Sequence, residues 1–196
     1  MSHFLTYIVV PKKEDDRFNE YIADVMSKFD ENMQVEEYFV KDLTDEDKMR
    51  FINYLIADGS IDNSKTIKDF NEIYKIHGED WNYNEWKLVD GVWKEYSTYN
   101  PNSKWDWYDV GGRWSNNLLT KSGDKVNFAY KKDIQMNLEI IPFAIIKDGK
   151  WIDRGEMGWF GMVNNAKDKN EWYTEFYKIW DTINDDDLIY VFDCHI

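Results

Sequence analysis

Two short apolar runs bracket this chain. Phe4 to Val10 is rich in β-branched residues and is stopped by Pro11, and Leu188 to Phe192 is apolar throughout. Runs this short read as buried strands and not as core helices. Between them the apolar period changes. Phe18, Tyr21, Ile22, Val25, Met26 and Phe29 recur at helical spacing, as do Trp172, Phe176, Ile179, Trp180 and Ile183. Thr44 precedes Asp45-Glu46-Asp47, a hydroxyl cap followed by acids that suit the positive end of a helix dipole. Met49, Ile52, Leu55 and Ile56 form the stripe of that helix, and Ile67, Phe70, Ile73 and Tyr74 that of another, with Gly78 as its C-cap. Val35 to Val40 and Val92 to Tyr96 read as strands, the latter after an Asp90-Gly91 turn. Leu118-Leu119 and Val126 to Tyr130 flank Ser122-Gly123-Asp124 as a hairpin. Ile140 to Ile146 and Lys150 to Asp153 flank Asp148-Gly149 as a second, stronger one. The order strand, helices, strands, helix, strand predicts an α+β fold: a mostly antiparallel sheet with helices packed on it. The chain reads as a single domain over residues 1–196, with about 44–80 as a small helical insertion.

The charge narrows the partners. Among 196 residues, 38 acids against 24 Lys and Arg give a formal net charge of −14. That field repels duplex phosphate and anionic lipid, so neither a nucleic-acid duplex nor a membrane is an expected partner, while a local cationic pocket is still compatible with it. No apolar run approaches the ~18 residues of a membrane helix. The lone cysteine, Cys194, rules out an intramolecular disulfide and fits a reducing cytoplasm, and the segment Met1 to Lys13 does not read as a signal peptide. With ten Trp, thirteen Tyr and eleven Phe, rings supply much of the core.

From Trp81 the chain turns Trp-rich: six of the ten Trp lie between residues 81 and 114. The densest stretch runs from Asn100 through Lys104, Trp105, Asp106, Trp107 and Tyr108 to Gly111, Gly112, Arg113 and Trp114. Rings stack on planar ligands, a guanidinium grips phosphate or carboxylate, and adjacent glycines let backbone N–H groups approach an anion. Together they suit a nucleotide-like ligand, with Trp105, Trp107 and Trp114 stacking and Lys104 and Arg113 holding phosphate. Gly111-Gly112 is not a Walker loop, since no Gly-Lys-Ser/Thr ending follows. A second stretch, Arg154 to Gly161, offers Glu156 as a general acid or base and Trp159 as a further ring. The third is Asp193-Cys194-His195. If the first and last strands are neighbours, His3 meets His195, and with Asp193 they make an acid–base group or a ligand set for a divalent metal. No cofactor motif is present. Cys194 reads as a buried, inert thiol.

Met1-Ser2-His3-Phe4, the central Tyr99 to Tyr108 stretch with Gly111-Gly112-Arg113-Trp114, and Arg154 to Gly161 with Asp193-Cys194-His195-Ile196 together resemble a family of proteins from tailed bacteriophages and prophages. Asp30-Glu31-Asn32 with Val35-Glu36 resembles a short acidic motif of the same family. The resemblance names no activity. It implies work in the host cytoplasm and an accessory role, interference with host defence among the candidates. It also focuses attention on His3, Asp30 to Asn32, Trp105 to Trp114, Glu156 and Asp193 to His195 as parts of one assembled site. Three functions follow as expectations: binding of a nucleotide-like ligand in a Trp/Arg pocket; hydrolysis of a nucleotide or phosphodiester by His195 or His3 with Glu156 or Asp193; and inhibition of a host protein through the acidic face.

Overall fold

The computed structural model describes residues 2–78, 84–135 and 141–196, with only the backbone of Trp159; Trp81 and Ile140 lie outside these. The fold is α+β. The chain divides into two compact units, Met1–Met33 with Pro101–Ile196, and Gln34–Asn100.

The first unit is built on β1 (His3–Val10) and β13 (Leu188–His195), the two runs that bracket the sequence. They pair antiparallel along their full length, from His3 opposite His195 to Val10 opposite Leu188. On its other side β1 pairs parallel with β9 (Ala144–Lys147), which forms a hairpin with β10 (Lys150–Asp153). Asp148 and Gly149 both take positive φ there (52° and 69°), the backbone of the two-residue turn that matches strand twist. The far edge of β13 is shared end to end by β5 (Trp107–Val110) and β8 (Phe128–Tyr130).

Both faces of this sheet are covered, which is why β1 and β13 lack polar alternation. One face packs Phe4, Ile8, Val10, Phe192 and Cys194 against Ile22, Val25 and Met26 of α1 (Phe18–Ser27). The other packs Leu5, Tyr7, Val9, Ile189 and Val191 against Trp172, Phe176 and Trp180 of α4 (Lys169–Asp181). These helix residues sit at i, i+3 or i+4 spacings, one stripe per helix.

In the second unit, β2 (Tyr38–Asp42), β4 (Val92–Ser97) and β3 (Asn84–Val89) form a separate antiparallel sheet in the order β2-β4-β3. Phe51, Ile52 and Leu55 of α2 (Asp45–Ala57) and Phe70 and Ile73 of α3 (Phe70–His77) make a core with Leu43 and Trp86. The helices of 44–80 therefore share a core with Leu43, just after β2, and with Trp86 of β3. The unit is wider than the stretch that helical periodicity marks out. The two-residue strands β6 (Leu118–Leu119), β7 (Lys125–Val126), β11 (Glu156–Met157) and β12 (Val163–Asn164) complete the described set.

Candidate functional site

At one end of the first unit's sheet, on the α4 face, three rings stand side by side across β1, β13 and β5. Register puts His3 opposite His195 and His195 opposite Trp107. The His3 and His195 rings meet edge to face, with centroids 4.9 Å apart, and Trp107 stacks on His195 at 5.2 Å and 19°. Side chains alternate along a strand, so Asp193 shares the face of His195 and sits diagonally from His3. Nδ1 of His3 lies 2.9 Å from Oδ1 of Asp193, and Nδ1 of His195 lies 2.6 Å from Oδ1 of Asp106. Each imidazole thus faces a carboxylate through Nδ1. A carboxylate only accepts, so the neutral ring carries its proton on Nδ1 and keeps a lone pair on Nε2.

Asp193 is 2 % exposed, and an isolated carboxylate there would be costly. It is satisfied twice: His3 donates to Oδ1, and the Arg113 backbone N–H donates to Oδ2 at 3.0 Å. This corrects the expectation for Gly111-Gly112-Arg113. The backbone does approach an anion, but the anion is the protein's own Asp193. The Arg113 side chain is exposed and lines neither of the clefts described below. Gly112 is required twice over, by a φ of +47° and because a Cβ would come within 2.6 Å of Asp193 Oδ2.

The acidic run fits here too. The Glu31 N–H donates to the Trp105 carbonyl (2.8 Å), Asn32 Nδ2 donates to the Asp106 carbonyl (3.0 Å), and the Asp106 N–H donates to the His195 carbonyl (2.9 Å). Asp30 to Asn32 therefore braces the loop that presents Asp106 to His195. Partial burial first, then Asp106 and Asp30 nearby, hold the Glu31 carboxyl above its ordinary range. At the other end, Ser2 Oγ donates to the Gly158 carbonyl (2.6 Å) and accepts from the Gly161 N–H (2.7 Å), tying the Arg154 to Gly161 stretch to the start of β1.

His3 lines a cleft of about 340 Å³, at the small end of ligand sites, with Trp114, Met157, Arg154, Lys169 and Tyr173 around it. Its charged lining is entirely cationic. Arg154 Nε donates to the Lys167 carbonyl (3.3 Å), and Lys169 Nζ lies 5.3 Å from the centre of the Tyr173 ring. Neither makes an ion pair among the described residues. A neighbouring cleft of about 250 Å³ holds Lys104, Asp153 and Glu156. There Lys104 Nζ is already paired with Asp153 at 3.2 Å. Glu156 is exposed, with Asn165 Nδ2 at 3.4 Å.

The four candidate catalytic groups thus divide: His3, Asp193 and His195 come together, and Glu156 lines the other cleft. The three-Trp slot does not form. Trp105 is a core residue on the α1 side whose Nε1 donates to the Met26 carbonyl, and Tyr108, opposite Cys194, packs on that same side. Trp107 is 44 % exposed on the opposite side, and only Trp114 lines the His3 cleft. The Trp159 side chain lies outside the described residues. Cys194 is fully buried, and burial pushes its thiol up to about 12.

Three features escape sequence reading: Asp106 as partner of His195, and the cations Arg154 and Lys169. Lys169 carries a signal of its own. It stands at the first position of α4, where the helix dipole disfavours a cation. His195 Nε2 is buried and has no hydrogen-bond partner among the described residues. No group of three or more His, Cys, Asp or Glu among them is arranged to hold a metal ion, and no described helix is long and apolar enough to cross a membrane. No family model matches the chain, and no curated protein or solved structure is similar to it.

Proposed function

We propose that the chain binds a small anionic molecule, nucleotide-like in joining a ring to a phosphate, in the cleft of His3, Trp114, Arg154, Lys169 and Tyr173. The observation that carries this reading is the charge of the cleft. In a chain of net charge −14, two cations without ion-pair partners among the described residues line one cleft with no carboxylate in its lining. Arg154 supplies a planar fork for phosphate oxygens, Lys169 a point charge, and Trp114 and Tyr173 flat faces worth roughly 1–3 kcal/mol per stacked base. This keeps the ligand class read from the sequence and moves the site from Lys104 and Arg113 to Arg154 and Lys169. On the resemblance to phage proteins, the ligand would be a host-cell nucleotide met in the cytoplasm, and the role accessory or counter-defensive.

Thermal unfolding against mononucleotides, cyclic nucleotides and inorganic phosphate tests it. A ligand at 100 times its Kd adds about 2.7 kcal/mol, or roughly 5–10 °C in midpoint for a chain of this size. The shift should vanish in the Arg154→Ala, Lys169→Ala double variant and persist in Arg113→Ala. A shift that survives the double variant, or none with any anion, overturns the assignment.

A further inference from the structure

Resting on that reading of the cleft, we propose that the site hydrolyses a small phosphodiester, with His3 as the general base that activates water.

Three observations carry it. First, the base is prepared. Asp193 is fixed by the Arg113 N–H and by its close packing on Gly112, and it holds Nδ1 of His3 at 2.9 Å. The lone pair is therefore on Nε2, which has no partner among the described residues, on a ring that lines the cleft. This is the arrangement in which a carboxylate sets the tautomer of a catalytic imidazole. Second, the nucleophile is not a protein side chain. Among the residues lining the cleft there is no thiol and no aliphatic hydroxyl, and the one phenol is Tyr173. Water is what the base has to act on. Third, Arg154 and Lys169 supply positive charge where a phosphoryl oxygen gains negative charge in the transition state.

The ester class follows from the chemistry. Phosphoryl transfer from an anhydride passes through a loose, metaphosphate-like state with little bond formation to the nucleophile. A base on water helps most where that bond is well advanced, as at a diester. The step balances without an oxidant or a reductant. The water oxygen bonds to phosphorus as its proton passes to His3 Nε2. The bond from phosphorus to one ester oxygen breaks, and that oxygen takes a proton from the Lys169 ammonium. His3 returns its proton to solvent and Lys169 regains one. Diester and water give a phosphomonoester and an alcohol. His3 and Lys169 are the catalytic residues of this scheme, and Asp193 is a positioning residue.

The test uses the full chain with bis(4-nitrophenyl) phosphate and with 2′,3′- and 3′,5′-cyclic mononucleotides, following diester and monoester by phosphorus NMR. Binding of the same cyclic nucleotides is measured in parallel by titration calorimetry. The expected result is conversion to monoester. His3→Asn keeps an amide donor toward Asp193 but no base, and should lower kcat by about 10²-fold or more with KM little changed. Asp193→Asn has a sharper signature. The Arg113 N–H continues to hold the side-chain oxygen, so the new amide donates to His3 Nδ1 and forces the proton onto Nε2. That should cost roughly 10³–10⁴-fold in kcat, and nitrogen NMR of His3 should show the tautomer inverted. Cyclic nucleotides that bind and are returned intact, with bis(4-nitrophenyl) phosphate also unhydrolysed, overturn the hydrolytic inference and leave the binding reading standing. Neither binding nor turnover overturns both. Turnover at the native rate by a folded His3→Asn variant removes His3 from the reaction. If His3→Asn does not fold, an Nε2–H tautomer in the native protein removes it equally.

Discussion

A methyl group at position 112 has nowhere to go. It would meet the Asp193 carboxylate while asking the backbone to keep a φ of +47°. Left-handed strain and overpacking together set the expected cost of Gly112→Ala at about 2–3 kcal/mol, read by denaturant unfolding. The same substitution should pull the Arg113 N–H away from Asp193, so any activity falls more than stability does. A loss under about 0.5 kcal/mol would show that the contact is not tight. One residue along β13 from Asp193, Cys194 makes the opposite prediction. With its thiol pushed up to about 12 by burial, it stays protonated at neutral pH. Ellman's reagent should find no thiol in the native protein and one after unfolding; prompt native reaction would contradict the packing of α1 over this strand.

The strongest local design in the second unit is the start of α2. The Thr44 side chain accepts from the Asp47 N–H at 3.1 Å, and Asp47 Oδ2 accepts from the Thr44 N–H at 3.0 Å, a reciprocal cap. Thr44→Ala should cost about 1 kcal/mol, measured by thermal or urea unfolding. The hydrogen bond from Lys41 Nζ, followed by those from Thr44, lowers Asp47 from 3.8 to about 2. The folded value lies below the unfolded one, so the contribution is complete above about pH 4 and is lost as pH falls toward 2. Lys41→Met should remove part of that acid-side dependence and leave stability near pH 4 and above lower than in the native chain. Elements of this kind are legible in sequence because their causes are local: Thr44-x-x-Asp47, the Asp148-Gly149 turn, the ring spacing of α4 and the apolar runs of β1 and β13. Which face a ring takes is not local. Trp105 and Trp107 are two residues apart and share no surface, because Trp105 precedes the strand and turns its indole toward Met26. The pairing of His3, Asp193 and His195 needed one tertiary assumption, adjacency of the outermost strands. Asp106 reaching His195, and Arg154 and Lys169 lining the same cleft as His3, needed the whole arrangement of loops.

The electrostatics of the entire chain bear on the binding proposed for the cleft. A net charge of −14 repels an anion at long range, while Arg154 and Lys169 attract it at contact. Salt screens the first effect at distances beyond about 8–10 Å and the second much less. The association rate of a nucleotide should therefore rise between low and physiological ionic strength, the reverse of a basic anion-binding protein; stopped-flow fluorescence of the tryptophans reads this, and a falling rate would mean that the cleft's own field dominates. The contact between His3 and Asp193 also spans 190 positions of sequence. Closing a loop of that length costs on the order of 4–5 kcal/mol in chain entropy before any contact is gained, and pairings so distant are slow to form. A chain whose β13 had not yet docked on β1 would have the His3 imidazole and no carboxylate to orient it. If His3 is the base proposed above, activity recovered during refolding appears only once the final strand has docked, and its rise is a clock for that one event.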